Sequence, residues 1–343
     1  MKKALLIAVF CVMSVTTFTA GTTLDIWVID TEGGKAVLVV SPGGQSMLID
    51  TGFPGNPTSP DRDTTRILDA CRLAGVKKLD LLLTTHYDLD HVSNTPSLVA
   101  KMPVALFVDH GAAVVSDPRT TAAVKAYDDL WAQAKHLVVK PGDKIPFAGV
   151  DVQVLASAFE TLKTPLKGAG TPNAACAGVQ AKTWERTDED TSENAASIAT
   201  LFTFGSFRML DMGDLTWNRE MQLMCPDNAI GTVDLYLVNH HGAELSNNPA
   251  LVNAIRARVA VMNNGTRKGG SASVVALMKT APGIQGFYML HRSTSAAEGN
   301  PPDAVIANID AESDGNWMKI SAQANGTMVV TNGRTGESKT YPR

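Results

Sequence analysis

Residues 84–92 read Thr-Thr-His-Tyr-Asp-Leu-Asp-His-Val, directly after the apolar run Leu79-Asp80-Leu81-Leu82-Leu83. A strand that ends in two histidines and two carboxylates within six residues presents imidazole and oxygen donors suited to divalent metal. His86 and Asp88, two apart, can point the same way from an extended or turning backbone. Asp90 and His91 open the next turn toward a second position. The spacing suits two neighbouring ions, so other segments must supply the remaining donors.

Two further segments put ligand types at strand ends. Asp211-Met212-Gly213-Asp214 follows the apolar stretch 198–210, and His240-His241-Gly242 follows the run 233–238. The chain has seven histidines, and four of them (His86, His91, His240 and His241) fall at two such ends. Asp214 is the candidate bridging carboxylate, because an anionic oxygen ligand between two cations offsets their repulsion. Asp211 competes for that role, although its place three residues earlier suits a strand-end hydrogen bond. Either His240 or His241 can supply the ligand of that pair.

These motifs resemble those of the metallo-β-lactamase-fold hydrolases. Thr85-His86-Tyr87-Asp88-Leu89-Asp90-His91 is similar to their His-x-His-x-Asp-His signature with aspartate at the second histidine, a variant that resembles the hydrolase domain of ComEC-type competence proteins. Leu48-Ile49-Asp50-Thr51-Gly52, Asn194-Ala195-Ala196-Ser197, Gly213-Asp214-Leu215 and His240-His241-Gly242 follow in the family's order over roughly residues 22–295. Ser93-Asn94 stands where many relatives carry Gly-Gly, and no third-motif histidine is evident, His110 being the one candidate. The resemblance implies an α/β (α+β) four-layer αββα sandwich with two divalent ions, zinc foremost and manganese as the other candidate. It also implies that Asp50 orients the metal loop rather than binding metal, and that Asp90 and Asp214 serve the reaction.

Lys2-Lys3, the apolar stretch 4–13 and the small residues 16–21 read as a secretory signal cut near Ala20, too short to span a bilayer. The expected address is periplasmic or secreted, without a membrane anchor. Residues 21–303 then form the hydrolase domain, and 304–343 a C-terminal β-meander extension packed on it. Cleavage removes Lys2 and Lys3 and takes the formal net charge from −4 to −6, which argues against a nucleic-acid-coating surface and a stable nucleic-acid complex. Export leaves Cys71, Cys176 and Cys225 in an oxidising setting. Cys71 lies on the apolar face of an expected helix, so Cys176 and Cys225, both in loop-like sequence, are the expected pair; the alternative is three free thiols.

Strands are expected at 23–29, 36–40, 46–50, 79–84, 104–108, 150–155, 233–238, 259–262 and 286–290, with a hairpin over 197–210 turning at Gly205-Ser206. Helices are expected at 61–74 (capped by Asp63 or Thr64 and ended by Gly75), 120–134, 218–223 and 248–257. Residues 159–193 form a long excursion that either covers the cleft or is an ordinary insertion. His136 reads as a surface residue of a connection. Two halves with strands and helices, each delivering ligands at strand ends, imply two facing sheets covered by helices.

His110 at one strand end reads either as a ligand or substrate contact or as a structural histidine. His291 at another reads as a cleft residue or a cap. Arg267 and Lys268, in the Gly-rich loop after 259–262, offer an anion clamp or a solvated turn. The function expected is hydrolysis of a small-molecule or phosphodiester-like substrate by water activated at the ions. Asp88 adds a hard oxygen ligand and so favours phosphoryl oxygens over a β-lactam. Alternatives are a lactone or β-lactam hydrolase, and a secreted binding module whose metal is structural.

Overall fold

The structure is a computed structural model that describes residues 22–114, 117–181, 190–310 and 314–343. The expected signal sequence therefore lies outside the described residues. Among those described, the strands form two large sheets. The first runs, in spatial order, Ser338–Tyr341, Met328–Asn332, Met318–Gln323, Thr23–Val28, Val37–Val40, Ser46–Ile49, Leu81–Leu83, Leu106–Asp109 and Lys135–Val138. The second runs Ile306–Asn308, Gly286–His291, Val259–Met262, Leu235–Leu237, Phe207–Asp211, Ala199–Phe204, Asp151–Ser157 and Lys144–Ile145, with Glu160–Thr161 paired to one side.

Side-chain alternation explains why the sheets face one another. Leu81 and Leu83 enter the core between the sheets, while Leu82 packs on the outer helices. In the second sheet Leu235 and Leu237 point inward and Tyr236 outward, and Val259 and Val261 alternate with Ala260 and Met262 in the same way. Such short strands are apolar throughout because both faces are covered. The helices Arg62–Leu73 and Pro118–Trp131 cover the first sheet, and Trp217–Met224, Pro249–Ile255 and Ala272–Thr280 cover the second. The result is the four-layer αββα sandwich. The three C-terminal strands extend the first sheet beyond Thr23–Val28 by antiparallel pairing.

What places the site is strand direction. Ser46–Ile49, Leu81–Leu83 and Leu106–Asp109 are parallel neighbours, as are Phe207–Asp211, Leu235–Leu237, Val259–Met262 and Gly286–His291. Residues that follow these strands collect along one edge, where open sheets place their ligand crevices.

Several local expectations need correction. The helix Arg62–Leu73 begins after Asp61, and neither Asp63 nor Thr64 caps it. The Asp63 carboxylate accepts instead from Phe53 N at 2.8 Å, and Thr64 bonds Asn94. His136 lies on the edge strand Lys135–Val138, bonded to buried Asp109 at 2.6 Å and stacked on Trp131. The helix Ala272–Thr280 was not expected. Within the excursion, residues 162–181 do not cover the cleft: Leu162, Leu166, Cys176 and Val179 pack on the outer helix layer of the second sheet.

Cys176 and Cys225 form a disulfide, and Cys71 is free and buried on its helix. Breaking a bridge that closes a 49-residue separation should lower the unfolding free energy by about 2–4 kcal/mol through the unfolded chain's entropy. Urea unfolding of wild type beside a Cys176→Ser/Cys225→Ser double variant measures the loss. Three alkylatable thiols from Cys71, Cys176 and Cys225 in the unreduced, unfolded protein would refute the pairing.

Candidate metal centre

Each group of ligand types is aimed by unusual backbone. Asp50 adopts a left-handed conformation, φ 58°, as its strand ends, and its N–H donates to Leu83 O of the neighbouring strand at 2.8 Å. Its carboxylate accepts from Thr85 N at 2.7 Å, Thr85 Oγ1 at 2.7 Å and His91 Nδ1 at 2.8 Å. On the opposite sheet Gly213 has φ 58°, and a Cβ there would meet Thr85 Cβ at 2.9 Å. Glycine is needed because the two halves touch at that point. His240 and His241 are both left-handed, φ 51° and 53°, a conformation costly for two successive side-chain-bearing residues.

Four donor atoms from the two halves converge. His91 Nε2 lies 3.2 Å from Asp90 Oδ2, 3.3 Å from Asp214 Oδ2 and 3.3 Å from His241 Nε2. His241 Nε2 lies 3.0 Å from Asp90 Oδ2 and 3.3 Å from Asp214 Oδ2. All four residues are buried.

The partners of the histidines set their tautomers. His91 Nδ1 meets the acceptor-only Asp50 carboxylate and so donates to it, while His241 Nδ1 lies 3.2 Å from both Asn263 O and Asn263 Nδ2; donation to the carbonyl is the tautomer that turns the His241 Nε2 lone pair inward. The Thr85 hydroxyl donates to Asp50 and so accepts from His86 Nδ1 at 3.1 Å, which leaves His86 Nε2 as an acceptor too. Ser246 Oγ donates to Leu215 O at 2.8 Å and accepts from His240 Nδ1 at 3.1 Å, with the same consequence for His240.

Burial opposes charge on His91, yet Asp214, Asp90 and Asp50 raise its imidazole well above the usual histidine range, so without metal a proton offsets the gathered carboxylates and a divalent ion would take that proton's place. A tetrahedral zinc with bonds of 2.0–2.1 Å separates its ligands by about 3.3 Å, close to the five distances of 3.0–3.3 Å that His91 and His241 make with each other and with Asp90 and Asp214. Beside this cage, His86 Nε2 and Asp214 Oδ1 are buried with no hydrogen-bond partner among the described residues. His86 Nε2 stands 3.7 Å from Asp88 Oδ2, on a side chain 39% exposed and thus open to the cleft. The caged residues fit a divalent ion, and His86 and Asp88 stand beside them as further donors.

Burial works against charge on Asp90 and Asp214. The neighbouring histidines and, for Asp90, Lys268 hold both carboxyls well below the usual carboxylate range. Burial pushes the His240 imidazolium down to about 4, so the ring is neutral at physiological pH. The Lys268 ammonium contacts Asp90 Oδ2 from the partly exposed edge of the site.

The other candidates separate. Asp211 does not bridge: its Oδ1 accepts from Lys35 Nζ at 2.6 Å and Gly213 N at 3.0 Å. His110 is not an open substrate contact, because its buried ring bonds Glu193 at 2.8 Å through Nε2. His291 is likewise removed from substrate: it is fully buried and bonded to Asp30 at 2.7 Å. Arg66 Nη1 also reaches Asp30 at 2.9 Å and Glu32 at 3.2 Å, so a guanidinium already balances that acidic group. Arg267 is exposed, and of the expected clamp only Lys268 reaches the ligand set.

Sequence reading missed Lys35, Thr85, Glu193, Ser246 and Asn263. Glu193 holds His110, and its carboxylate also accepts from the N–H groups of Tyr87 and Val114. Two of these residues adjoin motifs already recognised, Thr85 beside His86 and Glu193 beside Asn194, and that adjacency was the available signal.

Comparison with known proteins gives a family-model match, the metallo-beta-lactamase superfamily, over residues 29–158. A UPF0173 metal-dependent hydrolase of Polynucleobacter asymbioticus is 27% identical over 130 residues, 38% of this chain. The match spans 41% of that relative's length. Among solved structures, the metallo-beta-lactamase fold protein YhfI of Bacillus subtilis aligns at 13% identity and TM-score 0.47, covering 78% of this chain and 96% of that one. Igni18, a metallo hydrolase of Ignicoccus hospitalis, aligns at 13% identity and TM-score 0.44, covering 87% and 98%. The family-model match and the αββα sandwich support the metallo-β-lactamase superfamily, and do not single out the competence-protein branch within it.

Proposed function

We propose that this protein is an exported metal-dependent hydrolase acting on a phosphodiester-like substrate. The observation that carries the reading is the cage of four inward-facing acceptors beside two orphaned ones, at an edge where Asp88 and Lys268 meet solvent. Two divalent ions there supply Lewis acidity, bringing the pKa of water toward neutral and stabilising charge on the substrate's oxygens. Asp50 and Thr85 fix the rings of His86 and His91, and Asn263 fixes His241, so the ligands are held before metal arrives. Asp214, which meets His91, His240 and His241, would be the carboxylate shared by the ions.

Two features favour a phosphodiester. Asp88 supplies a hard oxygen donor where a histidine would be softer, which suits zinc or manganese acting on phosphoryl oxygens. Lys268 brings a cation to the open edge, placed to pair with an anionic group. Export is supported by the N-terminal sequence pattern and by the Cys176–Cys225 bridge, which persists in oxidising compartments.

The test is steady-state hydrolysis of bis(p-nitrophenyl) phosphate, single-stranded DNA and a chromogenic cephalosporin by metal-loaded protein. Turnover of a phosphodiester, abolished by chelation and restored by zinc or manganese, is expected. Turnover of the cephalosporin alone would overturn the substrate class.

A further inference from the structure

We infer that His240 and His241, although adjacent in sequence, serve different ions: His241 the caged position, and His240 the position formed by His86 and Asp88. The inference rests on the two-ion reading above and names a ligand for the ion that lacks a full set. His86, Asp88 and a share of Asp214 give that position three protein donors, with no histidine from the second sheet. Three nearby residues could add one.

Two of them are already engaged. Both Glu193 oxygens accept hydrogen bonds, Oε1 from Tyr87 N and His110 Nε2, and Oε2 from Val114 N. His110 spends Nε2 on that carboxylate and packs its ring on Tyr87 with centroids 4.7 Å apart; its Nδ1 is buried without a partner among the described residues, but no contact joins it to Asp214, which His240 reaches. His240 is the third. Its Nδ1 proton is committed to Ser246, and its Nε2 lone pair lies 3.4 Å from Asp214 Oδ2. It stands outside the four-atom cage formed by Asp90, His91, Asp214 and His241.

The backbone gives an independent argument. In extended chain, neighbouring side chains point to opposite faces, so only one histidine of an adjacent pair could reach a given carboxylate. Here both residues are left-handed, and both Nε2 atoms approach the same Asp214 oxygen, at 3.4 Å and 3.3 Å. Their rings are 6.1 Å apart and inclined at 73°, so they arrive from different directions. Hydrogen bonds from His240 N to Gly213 O at 3.2 Å and from Gly270 N to His241 O at 2.8 Å hold this turn. Gly269 permits it, since a Cβ there would meet His241 Cβ at 2.6 Å. If only one ring were a ligand, a single left-handed residue or none would suffice.

The experiment counts zinc in full-length purified protein and measures the two stepwise affinities by competition with a chelating dye, with folding followed by circular dichroism. His240→Ala is expected to lose the zinc held beside His86 and Asp88 and to keep the caged one, whereas His241→Ala is expected to lose the caged zinc. Ser246→Ala, which removes the acceptor of His240 Nδ1 and the hydroxyl's bond to Leu215 O but no metal ligand, should keep two zincs while weakening one of them about 10–100-fold. A folded His240→Ala that holds two zincs with wild-type affinity, or none, overturns the inference. If His240→Ala does not fold, Ser246→Ala decides, and unchanged stepwise affinities overturn it. These outcomes are independent of turnover: a protein that holds two zincs and hydrolyses none of the three substrates defeats the proposed function while leaving the ligand assignment intact.

Discussion

Replacing Asp90 by alanine is expected to remove one of two bound ions and to lower phosphodiester turnover on the order of 10³-fold, since one ion's charge stabilisation is worth several kcal/mol. Asp90 Oδ2 is the cage atom that meets both caged rings and a lysine: His91 Nε2 at 3.2 Å, His241 Nε2 at 3.0 Å and the Lys268 ammonium. Its removal leaves three acceptors around a position that four defined, and it leaves Lys268 without its anionic partner in the site. Asp90 O accepts from Lys35 N at 3.0 Å, a backbone contact that the substitution spares, so the loop should keep its course. Metal counting and steady-state kinetics on the same preparation make the check. An alanine variant with two ions and turnover within threefold of wild type would remove Asp90 from the site.

The layers were legible because period-2 alternation and apolar runs say which strands are covered on both faces. The ligand groups were legible because histidine and aspartate crowded at strand ends are costly to fold without a cation. Their partners were not. His86, His91, His110, His240, His241 and His291 all follow or end strands, and locally they look alike. What separates them is long range: His110 meets Glu193 across 83 positions and His291 meets Asp30 across 261, each a carboxylate that takes the ring out of play. The same reason explains Arg267 and Lys268. Adjacent cations in a glycine-rich loop carry no sign of which turns inward, and that is decided by the packing of Gly33 and Gly265, whose loops touch, with a Cβ at Gly33 meeting Lys268 Cβ at 2.9 Å. The excursion was left open for want of a fixed point; the Cys176–Cys225 bridge and the contacts of Leu162, Leu166 and Val179 anchor residues 162–181 on the far side of the second sheet.

Lys35 shows how much of the centre's stability lies behind it. Its ammonium is buried 2.6 Å from Asp211, with side-chain exposures of 4% and 1%. Burial works against its charge, yet Asp211, Asp50 and Asp214 raise its pKa above the usual lysine value, so the ammonium keeps its charge at neutral pH. Substituting Lys35 by methionine removes one partner of a buried pair and should cost about 3–5 kcal/mol, mostly as the penalty of leaving Asp211 uncompensated. Asp211 Oδ2 has no hydrogen-bond partner, and Oδ1 would keep only Gly213 N. A Lys35→Met/Asp211→Asn double variant, which leaves no uncompensated charge at residue 211, should recover part of the loss. The cycle isolates the coupling between the two side chains. Metal should change the result in a defined direction. Lys35 is a cation among Asp50, Asp211 and Asp214, so its removal should destabilise metal-free protein more than protein whose ions already balance that charge. Urea unfolding of all four proteins, with and without chelator, reads both effects. A Lys35→Met loss below about 0.5 kcal/mol, the range of ordinary surface substitutions, would show that the pair stabilises nothing, and an equal loss with and without metal would show that it is not coupled to the ions.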